Sequence, residues 1–193
     1  MIFTVERASF LDAVSKLQRV VGSKTSMPVL EGILISAEQG KVTLVSYNLE
    51  MGMKKEIYAR CEKDGDIVLP ARLLGDILRK LEGNQVEIET DDKLNCHIRS
   101  GEATFDIVGM AAVDFPEMPS VSQKNTFSVD AKILAEMIRS TIFAAATTEG
   151  IKPILTGINF SVEYSVFRLV AIDGYRLAIR SEKIQNVNDI QFT

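Results

Sequence analysis

Apolar positions recur at helical spacing in three places along the chain. Phe10, Val14, Leu17 and Val21 form one stripe; Leu74, Ile77, Leu78 and Leu81 a second; Leu134, Met137 and Ile138 a third. Steps of three and four residues put each set on one helix face. Glu6, Pro70 and Asp130 stand where helix starts favour an acid or a proline. Helices are therefore predicted over 7–21, 71–81 and 131–143. A short β-rich run precedes each, at 2–5, 67–69 and 127–129. Three alternating or β-branched runs follow each. They fall at 29–37, 41–47 and 51–60, then 85–90, 94–99 and 103–109, then 154–162, 166–172 and 175–182. Gln39-Gly40, Asp91-Asp92 and Ser100-Gly101 supply turns between them. Each unit reads β-α-β-β-β, an α+β fold.

The units are copies of one another. "PARLLGDILR" (70–79) aligns with "DAKILAEMIR" (130–139), and Phe10, Ala13, Val14 and Leu17 align with Leu74, Ile77, Leu78 and Leu81. "MPVLEGILIS" (27–36) resembles "KPILTGINFS" (152–161), and "VTLVSYNLEM" (42–51) resembles "FRLVAIDGYR" (167–176). A repeat of this kind sets the architecture. Two units make a first domain, with a linker over 111–125 that carries two prolines and no periodicity. The expected division is 1–122, including the start of the linker, and 123–193, the first half of a second domain. "DIQFT" (189–193) reads as the opening strand of a fourth unit, so a piece of a longer protein is expected.

Composition changes the picture little: 193 residues, 46% hydrophobic and 25% charged, is ordinary globular chemistry. No apolar run approaches the roughly 18 residues of a membrane span, and "MIFTVER" does not read as a secretion signal. Cys61 and Cys96 form no metal-ligand spacing, so a reduced, cytoplasmic protein without a metal or cofactor is expected.

Charge changes it more. The whole chain carries −4. The three helices and their flanks hold nine basic residues, Arg7, Lys16, Arg19, Lys24, Arg72, Arg79, Lys80, Lys132 and Arg139, against Glu6, Asp12, Asp76 and Glu136. Each helix alone reads as a solvated face of mixed charge. If equivalent helices lie side by side, their basic faces add into a field that holds a polyanion through many weak, salt-screened contacts. No aromatic or amide-rich helix suggests base readout.

Catalysis has no evident constellation. His97 lies in an alternating strand, and Cys96 beside it points to the other face. "GSKTS" (22–26) lacks the glycine pattern of a phosphate loop and reads as a polar, basic loop leaving the first helix.

These residues resemble the bacterial sliding clamps, the β subunits of DNA polymerase III. The resemblance rests on "MIFTVER", "MPVLEGILI", "LPARLLGDILRKL", "RSGEATFDIVGMAAVDFPEMP" and "AIDGYRLAI", in order and at consistent spacing. It implies helices on the inner face and antiparallel sheets outside, with three domains per subunit, the third absent from this chain. A head-to-tail homodimeric ring would encircle duplex DNA and tether the replicative polymerase without catalytic activity of its own. The implied partners are duplex DNA, the polymerase, the clamp loader and other proteins with a clamp-binding motif, and a second subunit, with no membrane.

Lys16, Arg19, Arg72, Arg79, Lys80, Lys132 and Arg139 lie on the helix faces opposite the apolar stripes and are the expected DNA-facing residues. By resemblance Lys24 joins them from a basic loop, while Glu149 in the matching loop of the third unit is acidic. Lys152, Leu155, Ile172, Gly174, Tyr175, Arg176 and Leu177 match part of a peptide-binding pocket. Tyr175 stands where the family commonly has histidine. Lys152 replaces a frequent arginine and lacks its bidentate fork. Leu155 and Leu177 read equally well as core. Phe105 and Ile107 match the edge that meets the second subunit. A clamp-fold interaction module that does not encircle DNA is the alternative, and the basic helix faces weigh against it.

Overall fold

The first unit, Met1–Pro119, begins with a strand that leaves its own half. The structure is a computed structural model and describes residues 1–22, 26–121, 126–147 and 152–185. The chain runs β1 (Ile2–Glu6), α1 (Arg7–Leu17), β2 (Gly32–Glu38), β3 (Lys41–Tyr47), β4 (Gly52–Tyr58), β5 (Arg60–Lys63), β6 (Gly65–Pro70), α2 (Ala71–Lys80), β7 (Gln85–Thr90), β8 (Asn95–Ser100) and β9 (Ala103–Val108). Two antiparallel sheets form, ordered β5-β1-β7-β8-β9 and β4-β3-β2-β6. The two halves exchange their first strands: β1 pairs with β7, and β6 with β2.

The run expected over 51–60 breaks at Ala59. β4 stays with β3, while β5 crosses to β1. Chain leaving β9 does the same in reverse, where Met110 and Val68 exchange hydrogen bonds at 2.8 and 3.0 Å. Twisted sheets packed face to face are cornered by strands that switch sheets in this way. Both helices pack on these sheets. Phe10, Ala13, Val14 and Leu17 of α1 and Leu74, Ile77 and Leu78 of α2 join Phe3, Ile33, Ile35, Leu44, Ile67, Val86 and Ile88 in one core. Phe3 meets Phe10 edge-on, with centroids 6.1 Å apart.

In the second unit, Ser120–Thr193, α3 (Ala131–Arg139) is followed by β10 (Asn159–Glu163), β11 (Val166–Ile172) and β12 (Leu177–Lys183) in one antiparallel sheet. Met137, Val162, Phe167 and Leu169 form its core, and the rings of Phe127 and Phe160 lie 4.9 and 5.7 Å from Phe167.

The repeat survives to the level of register. Ala37 faces Val42 as Val162 faces Phe167, 125 positions later. The hairpin turns match too: Gln39 and Gly40 have φ of 49° and 82°, Tyr164 and Ser165 have 47° and 62°. Two left-handed residues are what a tight two-residue hairpin requires.

Some predicted elements are shortened. Helix 7–21 ends at Leu17, because the Arg19 and Val20 amides donate three residues back, to Lys16 and Leu17, and tighten the last turn. Helix 131–143 ends at Arg139, where the buried Thr141 hydroxyl donates to the Met137 carbonyl at 2.8 Å. The runs 29–37 and 154–162 open instead as 3-10 turns at Pro28–Glu31 and Pro153–Thr156, since proline lacks the amide a strand would use. The run 127–129 forms no ladder among the described residues. Its counterpart β1 is held by β5 and β7, and β7 belongs to a second half. The run 189–193 lies outside the described residues.

Candidate nucleic-acid interface and peptide site

The helices α1 and α2 lie against one another and are tied at both ends. At one end Arg7 Nε donates to the Gly83 carbonyl at 3.0 Å and Nη1 to the Leu78 carbonyl at 3.4 Å. At the other, Gln18 Nε2 donates to the Ala71 carbonyl at 2.6 Å, over Gly75. Arg7 counts toward the basic field in the sequence, but its guanidinium is half-buried and spent on the Leu78 carbonyl of α2 and the Gly83 carbonyl just beyond it.

Lys16 and Arg19 of the first helix region and Arg72, Arg79 and Lys80 of α2 are all exposed. The antiparallel ties put Arg19 at the Arg72 end of the pair and Arg79 and Lys80 at the other end, beside Arg7. They are not equivalent. Lys16 is paired with Asp12 at 2.7 Å and Arg79 with Asp76 at 2.6 Å. The Lys16 hydrogen bond and charge hold the Asp12 carboxyl below its usual range. Among the described residues no ion pair involves Arg19, Arg72 or Lys80. Lys132 and Arg139 are exposed on α3 in the second unit, seven residues apart and thus on one face. Asp130 caps that helix, its Oδ1 accepting from the Lys132 and Ile133 amides at 2.8 and 3.2 Å. Lys24 and Glu149 lie outside the described residues, as does most of "GSKTS".

Within the second unit, three expected pocket residues, Gly174, Tyr175 and Arg176, share one turn, and two more, Ile172 and Leu177, end the strands that flank it. Gly174 takes φ 93°, a left-handed value suited to glycine. Asp173 Oδ1 accepts from the Tyr175 amide at 2.9 Å and the Arg176 amide at 2.8 Å, and Oδ2 meets Arg176 Nη2 at 2.6 Å. The Arg176 and Tyr175 amides, then the Arg176 side chain, hold the Asp173 carboxyl down at about 2. Sequence reasoning missed Asp173, although Asp-Gly is a known turn signal.

Ile172 faces Leu177 across the strands, 41% and 60% exposed, and Tyr175 is 99% exposed. Leu177 is therefore not core. Ile179 extends the apolar face. Lys152 and Leu155 sit on a separate segment, exposed and half-buried, where the Ala146 amide donates to the Leu155 carbonyl at 2.9 Å.

Phe105 and Ile107 lie on β9, an edge strand, with side chains on one face. Their environments differ: Ile107 is 7% exposed in the core of its own unit, and Phe105 is 36% exposed. Cys96 is buried in that core, which pushes its thiol up to about 12, and His97 on the other face meets Asp106. Among the described residues no group of His, Cys, Asp and Glu is placed to hold a metal ion, and no helix is long and apolar enough to cross a membrane.

Helices backed by sheets whose half-units repeat in register define a DNA-clamp fold. The chain matches the DNA polymerase III beta subunit N-terminal domain over residues 1–119 and the central domain over 128–193, and it belongs to that family. It is 32% identical to the "Beta sliding clamp" of Halalkalibacterium halodurans, covering 100% of this chain and 53% of that protein. It is 33% identical to that of Bacillus subtilis, covering 98% and 52%. The crystal structure of the Bacillus subtilis DNA polymerase sliding clamp superposes with a TM-score of 0.94, at 32% identity over 100% of this chain and 52% of that one. A putative DNA polymerase III beta subunit from Eubacterium rectale gives 0.92 at 33% identity, over 98% of this chain and 52% of that one. The chain thus spans about half the length of the curated relatives it matches.

Proposed function

We propose that this chain is part of a sliding clamp, a non-catalytic ring subunit that encircles duplex DNA and tethers the replicative polymerase in the cytoplasm. The observation that supports it most is the packing of α1 on α2, with Arg19, Arg72 and Lys80 exposed and in no ion pair among the described residues. Weak, sequence-independent phosphate contacts suit sliding, and encirclement turns rebinding into an intramolecular event. Residues 1–122 serve as a first clamp domain and 123–193 as half of a second. The 173–176 turn, with Ile172, Leu177, Leu155 and Lys152, receives apolar-anchored peptides of the polymerase and clamp loader. The β9 edge at Phe105 and Ile107 meets a second subunit.

The test is retention on circular DNA after loading. Protein that encircles DNA stays on a closed nicked circle in high salt and is released when the circle is linearised. Equal loss from both forms would favour an interaction module that does not encircle DNA.

A further inference from the structure

The turn at 173–176 has a counterpart 125 positions earlier. Asn48 Oδ1 accepts from the Glu50 and Met51 amides at 3.1 and 2.7 Å, and Leu49 takes φ 74° where Gly174 takes 93°. Tyr47 faces Gly52 as Ile172 faces Leu177. The two outer sheet faces differ in one respect. In the second unit the face is open, with Ile172, Leu177 and Ile179 exposed.

In the first unit the chain beyond β9 crosses that face. Phe115 is buried in a cluster with Leu30, Tyr47 and Val68, against Leu34 and Val45. Met118 lies over Gly52: a side chain there would begin 2.2 Å from the Met118 sulfur. Met118 therefore occupies the space where the counterpart of Leu177 would project. Between this strap and the sheet lies an open groove of about 540 Å³, lined by Leu34, Ser36, Val45, Phe115 and Met118.

We propose that the outer face of β2, β3 and β4 is a second peptide-docking surface, filled in cis by residues 113–118. The strap presents an aromatic and a thioether anchor three residues apart, with Glu117 between them. The partner that fits is an extended peptide of the same chemistry. A tethered segment acts at an effective concentration on the order of millimolar, so it excludes such peptides while its anchors are intact. This second surface takes from the proposed role of the 173–176 turn only the likeness of the two faces, and it can fail while that role stands.

The test titrates a labelled peptide of residues 111–120 into the full chain, with Leu177→Asp present throughout to silence the second-unit face. Phe115→Ala/Met118→Ala should bind at least ~10-fold more tightly than the same chain with its strap intact, because the competent fraction rises. Adding Gly52→Leu should cancel the gain by filling the methionine seat. If the double variant does not fold by circular dichroism, Met118→Ala alone should show a gain of roughly 3-fold. Equal affinity with and without the strap anchors, or a gain that Gly52→Leu leaves untouched, overturns the proposal. Loss of partner-peptide binding on Leu177→Asp alone reports on the second-unit site and not on this one.

Discussion

Gln18 occupies the space that a side chain on residue 75 would need. Its Nε2 donates to the Ala71 carbonyl at 2.6 Å, and a Cβ on Gly75 would lie 2.3 Å from that nitrogen. Glycine within a helix costs about 1 kcal/mol relative to alanine, so α2 gives up intrinsic stability for close approach to the chain leaving α1. Gly75→Ala recovers that ~1 kcal/mol but displaces a half-buried donor, a loss of about 1–3 kcal/mol. A net destabilisation of ~1 kcal/mol is expected in urea unfolding. Gln18→Ala/Gly75→Ala should be more stable than the sum of the single changes. A Gly75→Ala variant more stable than wild type would contradict the close packing.

The basic residues on the helices should divide by whether a carboxylate already faces them. Arg19, Arg72 and Lys80 have no ion pair among the described residues, whereas Lys16 and Arg79 are paired with Asp12 and Asp76. Arg72→Ala/Lys80→Ala should weaken duplex binding several-fold and lower the salt slope by roughly 0.9 for each phosphate no longer neutralised. Lys16→Ala/Arg79→Ala should have the smaller effect on both. Fluorescence anisotropy across a salt series separates the pairs, and equal effects would contradict the ranking.

The 173–176 turn should be sensitive to acid in a defined window. The Asp173 carboxyl titrates at about 2 in the folded chain against an ordinary 3.8. A depressed value means that its stabilisation is complete above 3.8 and is lost as the pH falls through 2. The Tyr175 and Arg176 amide resonances should therefore shift with a midpoint near 2, and Asp173→Asn should abolish that transition. A midpoint near 3.8 would mean that the turn does not hold the carboxylate.

Ser46 and Ala171 occupy the same place in the two units, both fully or almost fully buried on β3 and β11. The Ser46 hydroxyl has no hydrogen-bond partner among the described residues. Ser46→Ala installs the residue that the repeat already uses. Removing an unpaired buried hydroxyl should raise stability by ~1 kcal/mol, read as a higher denaturant midpoint at unchanged m-value. A drop in stability would mean that the hydroxyl has a partner.

Phe105 and Ile107 should separate stability from association. Ile107→Ala empties part of the core and should cost about 2–4 kcal/mol. Phe105→Ala should cost less than ~1 kcal/mol, as surface changes usually do, yet weaken association through the β9 edge. Thermal melts beside sedimentation of full-length protein distinguish the two. A Phe105→Ala variant that unfolds readily and associates normally would remove the edge from the interface.

The apolar periodicity determined that three helices and their strands exist. Phe10, Val14 and Leu17 could face only inward, because exposing them would forfeit their burial, and the spacing of such residues is local information. The repeat determined more: the shift of 125 positions carried the β3 and β11 registers and both hairpin turns with it. Which sheet each strand joins was not legible. β1 pairing with β7, and β5 leaving β4 at Ala59, depend on which hydrogen-bonding edges meet, and alternation specifies a strand's face and not its neighbour. Charge counting likewise found the basic helices but not that Arg7 serves the Leu78 and Gly83 carbonyls or that Asp12 and Asp76 answer Lys16 and Arg79, since pairing depends on side-chain placement. The two outer faces show the limit most clearly. Phe115 under its neighbours and Leu177 in the open are both apolar residues in the sequence. Only the tertiary structure decides which one its own chain covers.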